Sequence, residues 1–479
     1  MLKINELSLL TDFYEFSMAY AYFKENRHEQ IAYFDMFVRR MPDQGGYLIF
    51  NGLHRLVEVI SNFAFDNDQI AYLRSKNVFD EAFLSYLKNI KLSVDIWSVP
   101  DGTVVFNNQP LVTVRGTVIE AQLIETILLL CVNYPTLVTT KASRIVTAAQ
   151  GRAVIEFGAR RAQGFDAAIE GARCAVIAGA TGTSNTLAGY QHGLNISGTI
   201  AHSYIQTHNS EYDAFVSYAK INPENCILLV DTYDTLKSGV VNAIKVAQEY
   251  LLPNGYRLKA IRLDSGDLSY LSKKARKMLD EAGLTDCKII ASNSLDENLI
   301  DDLITQQAQI DIFGVGENLI TSKTTPVLGG VYKLVAQEIG EEIVPKIKIS
   351  DNLEKITNPG FKKVVRFIDK ETQKALGDCV MLADEIVPTD EYTLFDPIAP
   401  WKRKTITDYE YQILQVPIFV NGHLVYRVPS VKETTDYCKK QMDTMWDEVK
   451  RLAFPHKYYV DLSQKLWDLK NQMIQDNRK

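Results

Sequence analysis

Between residues 153 and 316 the chain repeats one pattern, a short apolar run closed by a cluster of polar residues. Six runs show it, at 153–160, 196–204, 226–231, 258–264, 288–293 and 310–316. A continuous apolar run is what a strand buried on both faces needs. Amphipathic stretches separate the runs. Positions 232–248 place Leu236, Val240, Ile244 and Ala247 on one stripe, 271–283 is a charged helix stopped by Gly283, and 296–307 opens with Asp296 and Glu297, favourable at a helix N-terminus. Alternating strands and helices imply parallel strands joined by right-handed crossovers. The pattern predicts a complete or incomplete (β/α) barrel, and an open doubly wound sheet has the same spacing. In either case the polar clusters fall at the carboxyl ends of the strands, where α/β proteins build their sites.

The flanking segments read differently. Thr11 or Asp12 caps a helix that begins near Phe13. In the strand at 31–39, Tyr33, Asp35 and Phe37 face one way and Phe34, Met36 and Val38 the other. A helix follows Gly52, and 94–114 carries β-branched pairs separated by turn residues, which predicts antiparallel sheet. The stretch 120–132 is apolar and helical, with Pro135 expected to end or kink it. Beyond residue 331 the alternation is lost. A strand at 343–349 is confined to a sheet edge by Pro345, or starts after it, and the chain is helical from Val431. The division expected is an N-terminal α/β domain with antiparallel sheet at 1–132, the barrel at 133–340, and a C-terminal region at 341–479 that partly returns to the first domain.

At 479 residues the chain exceeds one ordinary core. Its net charge of -7 argues against a nucleic-acid partner. Six scattered cysteines, none in a C-x-x-C pair, read as reduced buried thiols of a cytoplasmic protein. The N-terminus lacks a signal-peptide pattern, and the apolar stretch 124–138 is broken by Glu125, Asn133 and Pro135, so no membrane span is expected.

His202 is the only histidine at the end of an apolar run. An isolated histidine is more often a satisfied core residue than a base, nucleophile or ligand. Here Asp231 closes the next run, and a carboxylate there can fix the imidazole tautomer. Arg262 and Asp264 end another run, and Asp264 suits a sugar diol or Mg²⁺ beside phosphates. The small-residue stretches 179–185, which holds Ser184, and 314–316, with Gly314 and Gly316, offer backbone N–H groups to phosphate. Neither is a Walker A motif or a complete dinucleotide fingerprint. Phe157 with Arg160 or Arg161 suits a flat aromatic acid, through stacking and a guanidinium–carboxylate pair, with at least one of the two arginines expected in a structural ion pair.

Six motifs, 11–14 (TDFY), 99–104 (VPDGTV), 156–164 (EFGARRAQG), 198–203 (GTIAHS), 262–267 (RLDSGD) and 292–297 (SNSLDE), together resemble the nicotinate phosphoribosyltransferase family. The resemblance implies an irregular α/β barrel beside an N-terminal α/β domain. It implies synthesis of nicotinate mononucleotide and pyrophosphate from nicotinate and 5-phosphoribosyl 1-pyrophosphate (PRPP), with ATP as co-substrate acting through a phosphohistidine at His202, and with Asp264 as the candidate Mg²⁺ ligand. It assigns Asp231 to orienting His202. Nicotinate falls to Tyr14, Phe157, Arg160, Ser184 and Arg262, with Tyr14 supplied by the other subunit of a homodimer that shares its active sites. PRPP and its phosphates fall to Asp264, Ser265, Gly266, Ser292, Asn293, Gly314 and Gly316, and Lys362 and Lys363 are weaker phosphate candidates. Ser184 stands where the amide-using relative carries an aspartate, which favours the acid over nicotinamide. A barrel that binds a phosphosugar without turnover is the alternative of another class.

Overall fold

A computed structural model of the chain describes residues 4–352 and 355–477. They fall into two compact units, one of Met1–Leu137 with Val327–Lys479 and one of Val138–Pro326. The breaks fall at 137/138 and 326/327, and the described C-terminal residues belong to the first unit.

The first unit is built on a seven-stranded antiparallel sheet. Its order is Glu342–Pro345, Gly330–Ile339, Ile31–Val38, Val112–Thr117, Asp95–Ser98, Val416–Val420, His423–Leu424. The alternation along Ile31–Val38 decides what is buried where. Phe34, Met36 and Val38 join the main apolar core with Leu53, Leu56 and Val59 of the helix Leu53–Ser61. Asp35, on the opposite face, accepts from Thr113 Oγ1 at 2.8 Å and pairs with Lys362 Nζ at 2.9 Å. Pro345 sits on the outermost strand, where a missing N–H costs nothing. Helices Val431–Thr444 and Gln464–Asp476 follow as expected. The same unit holds a four-stranded sheet that the pattern did not reveal, in the order Tyr409–Ile413, Lys362–Asp369, Ala375–Leu382, Val460–Leu462.

Two expectations change here. Pro135 does not end its helix, which runs Glu125–Ala148. A proline removes the bond to the carbonyl four residues back, here that of Cys131. Gly52 packs against this carbonyl so closely that a Cβ on it would lie 2.0 Å from the oxygen. Lys362 and Lys363, the weaker phosphate candidates, are both engaged within the fold. Lys362 is buried against Asp35, and Lys363 donates to the carbonyls of Ala383 (3.0 Å) and Glu385.

The second unit holds six parallel strands: β1 (Ala153–Glu156), β2 (Gly182–Thr183), β3 (Ile227–Leu229), β4 (Ala260–Leu263), β5 (Lys288–Ala291) and β6 (Ile312–Val315). Their order is β2-β1-β6-β5-β4-β3. The first and last strands are paired and consecutive strands are neighbours, which is the cyclic order of a barrel. The only open join is between β2 and β3. A doubly wound sheet would instead reverse direction next to its first strand.

The run that includes His202 is not a strand. Ile196 makes a single bridge to Thr183, and His202 opens the short helix His202–Gln206. Ser197, Gly198 and Thr199 interrupt the apolar character, and Ile196 is 58% exposed, so nothing buries this run on both faces. It occupies the chain between β2 and β3, the open side of the barrel order. No helix among the described residues is long and apolar enough to cross a membrane.

Candidate active site

Parallel strands present all their carboxyl ends on one side, so β1, β3, β4, β5 and β6 bring their terminal residues together. Arg262 is the hub. It is the third residue of β4, with its side chain 16% exposed. Its guanidinium lies 5.5 Å from the ring centroid of Phe157, just past β1. Its three nitrogens donate to Ser292 Oγ (2.9 Å), Thr199 Oγ1 (2.9 Å) and Asp264 Oδ1 (3.0 Å). Asp264 Oδ1 also accepts from Ser292 Oγ. One arginine thus ties together the ends of β1, β4 and β5 and the loop before His202.

Asp264 uses only one oxygen in this network. The other, Oδ2, faces His202 Nε2 at 3.9 Å. The imidazole is 40% exposed, and its Nδ1 lies 3.1 Å from Thr232 Oγ1. Asp231, expected to orient the ring, is engaged elsewhere. Its Oδ2 accepts from the Asp264 N–H (3.0 Å) and Ser265 Oγ (2.6 Å). Its Oδ1 is buried without a hydrogen-bond partner among the described residues. The group beside Nδ1 is therefore the Thr232 hydroxyl, one residue later in the turn that follows β3.

The aromatic end of the site depends on glycine. A Cβ on Gly314 would lie 2.6 Å from the Phe157 ring, so only glycine in β6 lets that ring lie across the strand. Gly316 approaches the Phe157 carbonyl, where a Cβ would stand at 3.1 Å. Glu156, fully buried at the end of β1, fixes the adjoining turn. One oxygen accepts from the Gly158 N–H and the other from Thr183 Oγ1 at 2.6 Å, while burial pushes its pKa up. The Glu156 carbonyl accepts from the Ser184 N–H at 2.9 Å, which puts exposed Ser184 beside Phe157 on the strand-end side.

Arg160 and Arg161 divide as the sequence suggested. Arg161 approaches Glu317 at 3.8 Å, and Arg160 is exposed and carries no ion pair among the described residues. Gly266 turns with φ +78°, and Asp267 caps the helix Leu268–Glu281 through the Tyr270 N–H at 3.0 Å. Asn293 and Ser294 both hold positive φ, +88° and +49°. Tyr14 lies in the other unit, on the helix Phe13–Lys24, and is 48% exposed.

Sequence reasoning missed Thr232, Thr199 and Glu156 as members of the site. Thr232 carries no signal beyond adjacency to Asp231. Glu156 is an acid inside an apolar run, and that anomaly was open to view. For a divalent cation, no cluster of three or more His, Cys, Asp or Glu side chains exists among the described residues. Asp264 Oδ2 and Asp231 Oδ1 are hard oxygens not used by hydrogen bonds, which suits Mg²⁺ completed by substrate phosphates and water.

Three family descriptions match the chain. The nicotinate phosphoribosyltransferase N-terminal domain covers residues 9–133, the nicotinate phosphoribosyltransferase family 153–377, and its C-terminal domain 361–470. The nicotinate phosphoribosyltransferase of Bacillus subtilis is 44% identical, over 99% of this chain and 96% of its own. That of Dictyostelium discoideum is 35% identical, over 98% and 88%. The crystal structure of human nicotinic acid phosphoribosyltransferase superposes with a TM-score of 0.84 at 28% identity, over 97% of this chain and all of that one.

Proposed function

The chain belongs to the nicotinate phosphoribosyltransferase family, and from that premise we propose that the carboxyl ends of β1, β3, β4, β5 and β6 hold nicotinate, PRPP and the γ-phosphate of ATP in one site. The enzyme is a nicotinate phosphoribosyltransferase of NAD biosynthesis. Its reaction forms a bond from the pyridine nitrogen to C1′ of the ribose and breaks the bond from C1′ to the pyrophosphate oxygen. The observation that carries the assignment is the Arg262 hub, because it touches an aromatic ring, the Asp264 carboxylate and the loop of the reactive histidine at once.

Nicotinate stacks on Phe157 next to the Arg262 guanidinium. Exposed Arg160 pairs with its carboxylate. Neutral Ser184 repels no anion there. Asp264 takes the ribose hydroxyls, and Ser265, Gly266, Ser292, Asn293, Gly314 and Gly316 line the phosphates with hydroxyl and backbone donors. Asp264 Oδ2 and Asp231 Oδ1 would hold Mg²⁺, which would supply positive charge toward the departing pyrophosphate. His202 attacks the γ-phosphorus of ATP and ADP leaves. The Thr232 hydroxyl fixes the ring meanwhile, and water later cleaves the N–P bond. The added negative charge on the histidine would strengthen the hold of a bound Mg²⁺ on the sugar phosphate. Tyr14 completes the ring pocket from the partner subunit of a homodimer. Six buried thiols suit a reducing cytoplasm.

The test supplies nicotinate and nicotinamide in separate mixtures with PRPP and follows mononucleotide. Product from nicotinate alone supports the site, and Ser184→Asp is expected to depress that activity. Equal use of both bases would remove the role given to Ser184 and Arg160.

A further inference from the structure

The turn between β5 and the helix Glu297–Thr305 carries two candidate phosphate residues, Ser292 and Asn293, in a backbone that ordinary residues rarely adopt. Asn293 and Ser294 are consecutive non-glycine residues with positive φ. Such residues persist only where the surroundings hold them. Two holds are present. Asn318 Nδ2, from the helix Glu317–Ile320, donates to the carbonyls of Ser294 (2.8 Å) and Leu295 (3.2 Å). Glu297, 1% exposed at the first position of its helix, accepts on Oε1 from Lys141 Nζ (2.8 Å) and Arg144 Nε (3.1 Å). Both cations stand on the helix Glu125–Ala148, and Lys141 also donates to Thr324 Oγ1 at 2.8 Å.

We propose that Glu297, through its buried pair with Lys141 and Arg144, is a positioning residue that with Asn318 sets the Ser292–Ser294 turn for PRPP. The inference rests on the assignment of that turn to the phosphoribosyl substrate. Its chemistry follows from the packing. A buried carboxylate shared by two cations has one low-energy position, so it fixes the start of the helix and the five residues before it. The side of the turn nearest the substrate is Ser292, whose hydroxyl bridges Arg262 and Asp264. A shift of the turn moves that hydroxyl and the adjoining backbone away from the sugar phosphate. Phe157 and Arg160, on β1 and its following turn, stay in place.

The experiment measures steady-state kinetics of the full-length enzyme carrying E297Q or N318A. PRPP and nicotinate are varied separately, and thermal unfolding is followed in parallel. Both variants are expected to raise KM for PRPP about tenfold or more, since a displacement near 1 Å is enough for such a loss, with KM for nicotinate within about twofold of wild type. Glu297→Asp, which keeps the charge on a shorter stem, is expected to recover only part of the loss. Unchanged KM for PRPP in N318A and in folded E297Q, even with lower melting temperatures, would overturn the proposal and leave Glu297 a fold anchor. Equal rises in both KM values would overturn it too. If E297Q fails to fold, N318A decides alone by the same split. A failure of the parent assignment looks different, because Asn293→Ala, in the turn itself, would then leave KM for PRPP unchanged.

Discussion

Two ion pairs, one in each unit, treat charge in opposite ways. In the first, Arg366 and Asp378 are buried to within 1% of full enclosure, and every polar edge is met. The Asp378 oxygens accept from Arg366 Nε (2.8 Å) and Nη2 (2.7 Å), Gln109 Nε2 (2.6 Å) and the Tyr458 hydroxyl (2.8 Å), and Arg366 also reaches Gln441 and the Val104 carbonyl. In the second, Arg262 and Asp264 sit at an open strand end. One oxygen of Asp264 waits 3.9 Å from an imidazole, and Asp231 keeps an oxygen unpartnered. A saturated, buried pair stabilises a fold and has nothing left for a ligand. An under-used pair, held in place by its other bonds, is a site.

That contrast is open to attack by mutation, beginning where the effect is largest. Asp378→Ala strands a buried guanidinium and is expected to destabilise the enzyme by about 3–5 kcal/mol in denaturant unfolding, with activity lost through unfolding alone. Asp264→Asn is expected to do the reverse, lowering kcat about 10²- to 10³-fold while the melting temperature stays close to wild type. A large stability loss in D264N would erase the distinction between the two pairs. Gly314→Ala drives a methyl into the Phe157 ring, so KM for nicotinate should rise about tenfold or more, checked by initial rates at saturating PRPP.

Much of this was legible in the chain and some was not. Each apolar run that ended in a charged residue was found, and Arg262, Asp264, Phe157 and His202 do gather. The run before His202 misled, because Ser197, Gly198 and Thr199 keep it from burial as a strand while its ends look apolar. The strands Lys362–Asp369 and Ala375–Leu382 were hidden by their buried charges, Lys362, Arg366 and Asp378, which break the expected alternation and are visible as core only once their partners are known. The choice of Thr232 over Asp231 as neighbour of His202 is a matter of which way one side chain points in the turn after β3, where Asp231 is held by the Asp264 N–H and Ser265.

Smaller effects sharpen the same comparison. Thr232→Val removes the partner of Nδ1 and is expected to lower ATP-dependent turnover several-fold, up to about tenfold, without changing KM for nicotinate, as a ring-orienting role requires. In the first unit, burial, reinforced by the charge of Asp396, pushes the Asp461 carboxyl up to about 7. An acid raised in the folded state binds its proton more tightly there than in the unfolded chain. Its contribution is present at acid pH and is lost as pH rises from about 4 to about 7. Asp461→Asn should remove that slope and raise stability at pH 8 by about 1–2 kcal/mol, read from urea unfolding at pH 5 and pH 8.

The most direct measurement is incorporation of label from γ-labelled ATP into wild-type enzyme, His202→Ala and Asp378→Asn. Acid-labile, base-stable label on the wild type and on whatever fraction of D378N is folded, with none on H202A, is the predicted result. It would place the chemistry on the exposed imidazole beside Asp264 and leave the saturated pair with structure alone. Equal label on H202A and wild type would contradict the assignment of His202. Mononucleotide formed at the same rate without any label would contradict the coupling itself.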